Sequence, residues 1–310
     1  FIVRTFLDEG RMISSFDNGE LTAMAGVENV TDQQKESVDV TDSNIPMTGL
    51  VTVFFRNSQE ILNNSKVRKG LSAATNNVDI LKQLSYPSIV TTGPLLKTMI
   101  GYDPSIRQQA FDISAANAAL DEAGWHMGEG GFRYKDGKKL ALTLNTLSNV
   151  EYATVAGTLQ KQWATVGVDL TVRSLDQREL QTAIQSRSYD VVLYGIAVGT
   201  DPDQYAYWHS SQADPRALKR FNFSEYSSKT ADASLDAGRT RLDPTLRAAK
   251  YKPFLEAWRN DAPAKTLYQP RYLYVTKGNV ANFDPKILTV PSDRFANVED
   301  WMVRTERSSD

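Results

Sequence analysis

Two hydrophobic periods alternate over residues 140–198. Leu140, Leu142 and Leu144 are separated by Ala141, Thr143 and Asn145, a period of two that predicts a strand. Val155, Leu159, Trp163 and Val166 then recur at helical spacing, and Gly167 follows as a C-terminal stop. Val168, Leu170 and Val172 return to the strand period. This order predicts a β-α-β unit with parallel strands and a right-handed crossover. Asp176 with Glu179 predicts a cap pair opening a short helix through Leu180 and Ile184. Residues 189–196 are nearly all apolar, as a central strand buried on both faces requires.

Further elements surround this centre. A helix is expected over about 65–82, with Val67, Leu71 and Ala74 on one face. Another opens near Asp112 and stops at Gly124, carrying Ala116, Ala119, Leu120 and Ala123. Ser227 or Ser228 can cap a helix near 227–240 that carries Leu235. Asp243-Pro244 opens a long helix with Tyr251, Phe254, Leu255 and Trp258, which Pro253 is expected to kink or split. Residues 129–138 form a hairpin tip around Asp136-Gly137, and residues 272–275 a strand. The first 50 residues are polar and turn-rich, with a tight turn at Asp17-Asn18-Gly19 and an acidic crossing segment at 28–49. The tail after Trp301 is expected to fray. The pattern describes a mixed α/β protein with one complete domain flanked by pieces of another.

Composition narrows the class. The apolar fraction of 41% and charged fraction of 23% are ordinary for a globular chain. A net charge of −2 with scattered Lys and Arg leaves no electrostatic footprint for nucleic acid. No apolar run approaches the roughly 20 residues that span a bilayer. The absence of cysteine excludes disulfides, thiolate metal sites and a Cys nucleophile. The opening Phe1-Ile2-Val3-Arg4 has neither initiator Met nor leader, and reads as cut from something longer.

Candidate chemistry concentrates in residues 199–209, directly after the apolar strand. Asp201 and Asp203 lie there beside Tyr205, Tyr207 and Trp208. In open α/β sheets ligands collect beyond the carboxyl ends of strands. A carboxylate beside aromatics suits a cationic organic ligand. An Asp-Pro-Asp turn followed by core aromatics explains the same residues, and both readings stand. Asp201, Asp203 and His209 lack the spacing of a calcium loop, so no metal and no cofactor are expected. Ser72 lacks the second Gly of a nucleophile elbow, and no Gly-rich phosphate loop is present. His126 fits a surface or capping role, and the pairs Asp121-Glu122 and Glu299-Asp300 are solvated charge. Nothing here argues for an enzyme.

Several segments, in order, resemble the large peptide-, dipeptide- and nickel-binding class of ABC-importer binding proteins, of family 5 type. They are residues 15–23 (Ser-Phe-Asp-Asn-Gly-Glu-Leu-Thr-Ala), Phe54-Phe55-Arg56-Asn57 with residues 67–74, residues 116–125 ending in Ala123-Gly124-Trp125, Gly167-Val168-Asp169-Leu170, and Tyr189-Asp190 through Asp201-Pro202-Asp203. The resemblance is closest to the peptide binders. It implies a periplasmic-binding-protein-like α/β fold of two lobes. Residues 51–270 would be the complete second lobe, and residues 1–50 and 271–310 fragments of the first, with the crossing segments near 40–51 and 270–282 acting as hinge.

The resemblance further implies an extracytoplasmic, monomeric binder, periplasmic or lipid-anchored, that captures a peptide between its lobes and delivers it to ABC-importer permease subunits. It aligns Asp201 with the acid that pairs with a ligand's α-ammonium group, with Asp203 second and Tyr194, Tyr205 and Trp208 as wall residues. The stretch Gly195-Ile196-Ala197-Val198 lacks a Trp that many relatives carry. Alternatives are the same fold binding an oligosaccharide, opine or metal chelate, and, remotely, a hydrolase with its active site across the lobes.

Overall fold

The computed structural model describes residues 2–27, 30–37, 39–84, 88–214, 221–278 and 280–303; the expected frayed end, 306–310, lies outside them. Two compact units are present. The larger comprises Gly49–Leu84 and Val90–Gln269; the smaller comprises the described residues of Phe1–Thr48, Ser85–Ile89 and Pro270–Asp310.

The larger unit is built on five strands: β1 (Gly49–Phe55), β2 (Ala141–Leu147), β3 (Asp169–Leu175), β4 (Val191–Ala197) and the first part of β5 (Ala264–Lys277). Their order is β5-β1-β4-β2-β3. β2 pairs in parallel with both β3 and β4, as the β-α-β pattern predicts, while β1 is antiparallel to β4 and β5. β4 is central and largely buried, as its apolar run requires. Alternation along the strands separates two faces. Val51, Val53, Phe55, Val191 and Leu193 join the main core with Leu159 and Trp163. On the other face Phe54 stacks on Trp208 at 5.6 Å and meets Phe223 edge-on at 5.2 Å.

Its helices are α1 (Ser65–Ala73), α2 (Asn77–Lys82), α3 (Ile113–Glu122), α4 (Val150–Ala164), α5 (Gln177–Gln185), α6 (Tyr205–Trp208), α7 (Lys229–Arg239) and α8 (Pro244–Asp261). Asp112, Ser228 and Asp243 cap α3, α7 and α8, and Asp176 with Glu179 forms a capping box on α5. The helix expected over 65–82 is two helices. Asn76 accepts from the Asp79 amide and restarts the chain as α2, while the Thr75 hydroxyl accepts from Trp163 Nε1 at 2.9 Å. α8 runs through Pro253 without splitting. Residues 133–139 form the expected hairpin, with Asp136 (φ 50°) and Gly137 (φ 76°) at its tip.

In the smaller unit Asp17-Asn18-Gly19 is a helix end and not an isolated turn. Glu9–Asp17 is helical, capped by Asp8, and Gly19 (φ 81°) reverses the chain as the Glu20 amide donates to Ser15 O at 2.9 Å. Val40–Pro46 pairs antiparallel with the second part of β5, and Ala23–Ala25 pairs with that same part. Phe16, Met24, Val27, Val30, Leu273 and Val275 make a small core, and Ile45, Tyr274 and Leu288 a second.

Candidate site at the carboxyl edge of the larger sheet

β2, β3 and β4 run in the same direction, so their carboxyl ends define one edge of the sheet. β1 is antiparallel to β4 and brings its amino end, with Val51 and Thr52, to that edge opposite Gly195 and Tyr194. Three connections leave from here: the turn into α4, the turn into α5 and the 198–204 segment into α6.

The edge is lined by tyrosines. A Cβ on Gly195 would stand 2.4 Å from the Tyr152 hydroxyl, so only glycine lets this phenol lie across β4. Burial holds the Tyr152 phenol far above its ordinary range, so it stays neutral and hydrogen-bonding. Tyr268 donates to Glu151 Oε1 at 2.5 Å, and Tyr207 donates to Ala197 O at 2.7 Å. Burial also raises the Tyr207 phenol. Tyr194, half-buried, meets Phe223 edge-on at 5.8 Å.

The loop acids have partners of their own. Asp201 Oδ2 accepts from Arg247 Nη1 and Oδ1 from Arg247 Nη2, both at 2.8 Å, and Oδ1 also accepts from the Asp203 amide at 2.9 Å. The Arg247 guanidinium draws the Asp201 carboxyl below the usual carboxylate range. Asp203 accepts from the Tyr205 amide at 3.0 Å and pairs with Arg239 Nε at 2.9 Å. That guanidinium lies 4.2 Å over the Tyr205 ring, which stacks on His209 at 4.2 Å.

The five residues singled out from sequence therefore take different places. Tyr194 and Tyr205 are half-buried. Asp201 and Asp203 stay accessible but engaged. Trp208 does not serve as a wall: it is 1% exposed, between Phe54 and the edge of Trp258, because α6 turns its indole into the core. Sequence reading missed Arg239, Arg247, Glu151 and Tyr152; Tyr268, 0% exposed, is a core residue that donates to Glu151. The turn after β2 was a usable signal for Glu151 and Tyr152, since it leaves the same sheet edge; nothing local marks the arginines.

Among the described residues no three His, Asp or Glu side chains gather to hold a metal, and no helix is long and apolar enough to cross a membrane. The smaller unit holds a cavity of about 440 Å³ lined by Phe6, Met12, Leu21, Met24, Tyr274 and Trp301, none of which the sequence marked as a site residue.

Similarity to known proteins extends over most of the chain. The family model "Bacterial extracellular solute-binding proteins, family 5 Middle" matches residues 1–246. Protein XP55 of Streptomyces lividans is 28% identical over 223 residues, 70% of this chain and 39% of that protein. The oligopeptide-binding protein AppA of Bacillus subtilis is 26% identical over 258 residues, 81% of this chain and 46% of the relative. The chain thus spans less than half the length of these curated relatives. The AppA structure with a nonapeptide matches with a TM-score of 0.77 at 21% identity, over 96% of this chain and 59% of that one. NikZ of Campylobacter jejuni, solved with Ni(L-His), matches with a TM-score of 0.79 at 23% identity, over 96% and 60% respectively. The α/β fold expected from the residues is the fold these structures share.

Proposed function

Because the chain belongs to the bacterial extracellular solute-binding proteins of family 5, we propose that it serves as the binding component of an ABC importer, captures peptides and hands them to membrane permease subunits outside the cytoplasm. Similarity to an oligopeptide-binding protein over 81% of this chain supports the ligand class. We propose Gly49–Leu84 with Val90–Gln269 as the ligand-facing second lobe and the remaining residues as parts of the first.

The observation that carries the reading is the sheet edge itself. Neutral, half-buried tyrosines stand beside the ends of β1 and β4. Such an edge can meet a peptide's main chain with hydroxyl groups and its side chains with aromatic faces. Ser211 Oγ lies 2.8 Å from His209 Nδ1, and His209 Nε2 is 3.6 Å from Asp236 Oδ2; membership of a solute-binding family is what favours binding without bond cleavage as the proposed outcome. The same tyrosines also suit a sugar or a metal chelate, which is the second reading.

Calorimetry and thermal shift on the purified protein separate the two. Peptides of two to eight residues are titrated beside oligosaccharides and a nickel–histidine complex. Peptide binding at micromolar or tighter Kd, with the peptide recovered intact by mass spectrometry, is expected. Binding of sugar or chelate with no response to any peptide would replace the ligand class; progressive loss of peptide would make the protein an enzyme.

A further inference from the structure

The carboxylates at the carboxyl edge of the larger sheet differ in what balances them. Asp201 faces Arg247 and Asp203 faces Arg239, while Asp176 and Glu179 are exposed capping groups of α5. Glu151, in the first turn of α4, is half-buried, and its partner is a neutral phenol: Tyr268 donates to Oε1 at 2.5 Å. Among the described residues no Lys, Arg or His pairs with it. Resting on the solute-binding reading, we infer that Glu151 is a specificity-determining acid of this edge, to which the ligand presents a primary ammonium or guanidinium group.

A half-buried charge with one neutral donor is under-compensated. A carboxylate offers about four lone-pair positions. Tyr268 takes one, and among the described residues no other group donates to Glu151. The amino end of α4 contributes roughly half an elementary charge, which offsets part of the carboxylate and leaves the rest for a cation. Tyr268 is fully buried, so the acid is tethered to the core, while the neighbouring Val150 is exposed and leaves the turn open to solvent. Tyr152 stands beside it, in the room that Gly195 provides. Burial first, then the Glu151 charge and Tyr194, hold the Tyr152 phenol above its ordinary range, so it stays neutral next to the acid. A carboxylate beside neutral aromatic rings attracts an organic cation by ion pairing and cation–π attraction together. An anionic group, such as the carboxyl end of a peptide, is repelled at the same place.

The test titrates matched peptides by calorimetry into the wild-type protein and Glu151→Gln. One arm compares a free amino end with an acetylated one. A second, with both ends blocked, compares Lys or Arg with norleucine at each position in turn. The wild type should favour the cationic member of at least one matched pair by about tenfold or more. Glu151→Gln keeps an oxygen acceptor for Tyr268 and loses the charge, so that preference should fall to within about threefold. The ratio within a pair isolates charge recognition from any general loosening of the site. If Glu151→Gln does not fold, Glu151→Asp keeps the charge on a shorter arm, and a smaller preference of the same sign is expected.

A preference carried by the amino end, or by an internal Lys or Arg, supports the inference and tells which part of the peptide supplies the cation. A wild type indifferent to charge in every pair overturns it, as does a preference for the neutral member. A cationic preference that survives Glu151→Gln at full size overturns it too, because another group then reads the cation. If no peptide binds at all, the peptide reading fails by itself, and the acid is judged on the small cation agmatine. Carboxyl-carbon NMR should then show a saturable shift of the Glu151 resonance with agmatine; a resonance that does not respond refutes the inference.

Discussion

Lys265 lies on β5 opposite Val53, 3% exposed, with its ammonium donating to Gln109 O at 2.6 Å. Burial lowers its pKa to about 7. In the unfolded chain the group titrates near 10.4. Below pH 7 both states hold the proton, and the folded state bears the full cost of a buried charge. Between about 7 and 10.4 only the unfolded state binds it, so stability rises with pH across that window. A depression of this size corresponds to on the order of 4 kcal/mol between the two ends. Lys265→Met should therefore be more stable than wild type at pH 6.5, with the advantage shrinking towards pH 9.5. Urea unfolding of both proteins at the two pH values checks this, and a constant difference would mean that Lys265 does not lose its proton in the fold. The same residue scale limits what sequence shows of Asp201. Its turn was legible from Asp-Pro-Asp, but its partner Arg247 is 46 positions away on a different element. Local pattern carries no information about such a pair.

Elements were legible where hydrophobic period and cap agreed. The strands and helix of 141–175 and the helices opened by Asp112, Asp176, Ser228 and Asp243 follow from both signals at once. Where one signal was absent, reading failed. The helix Glu9–Asp17 has a weak apolar stripe, with Phe16 its only buried residue, so its glycine end passed for a turn. The break at Asn76 is hidden because α1 and α2 both point apolar residues at one core. The continuity of α8 has a tertiary cause that no window over its own sequence contains. Pro253 supplies no amide for the turn before it. Beside that gap the Ser234 hydroxyl of α7 donates to Lys250 O and accepts from the Phe254 amide at 3.0 Å. Ser234→Ala should remove both bonds at a 5%-exposed position and destabilise the protein by about 1–3 kcal/mol. Equilibrium urea unfolding reads the change; a loss under about 0.5 kcal/mol would show that α8 carries the proline unaided.

At the scale of the whole molecule, β5 is a single strand that serves two separate structural bodies. Its residues 264–268 pair with β1 in the larger unit, and residues 271–277 pair with Val40–Pro46 in the smaller. The pairing to β1 shifts register between Thr266 and Tyr268, where a ladder would leave backbone groups exposed. Two side chains fill that irregularity. Gln108 accepts from the Thr266 amide at 3.0 Å and donates to Thr266 O at 2.8 Å, while Asn77 donates to Thr266 O at 2.9 Å and Leu267 O at 2.8 Å. This part of β5 therefore opens only if the bulge, the Gln108 and Asn77 braces and the extensive core containing Leu267 and Tyr268 open with it. The second part answers to cores of a few residues around Phe16 and Ile45. Amide exchange tracks the smallest opening that frees a hydrogen bond. The Thr266 amide should consequently exchange at least about tenfold more slowly than the bonded amides of 272–275, measured by hydrogen–deuterium exchange with fragment resolution. Equal protection along β5 would mean that the chain opens as one cooperative body; a faster Thr266 would mean that Gln108 and Asn77 do not hold the bulge.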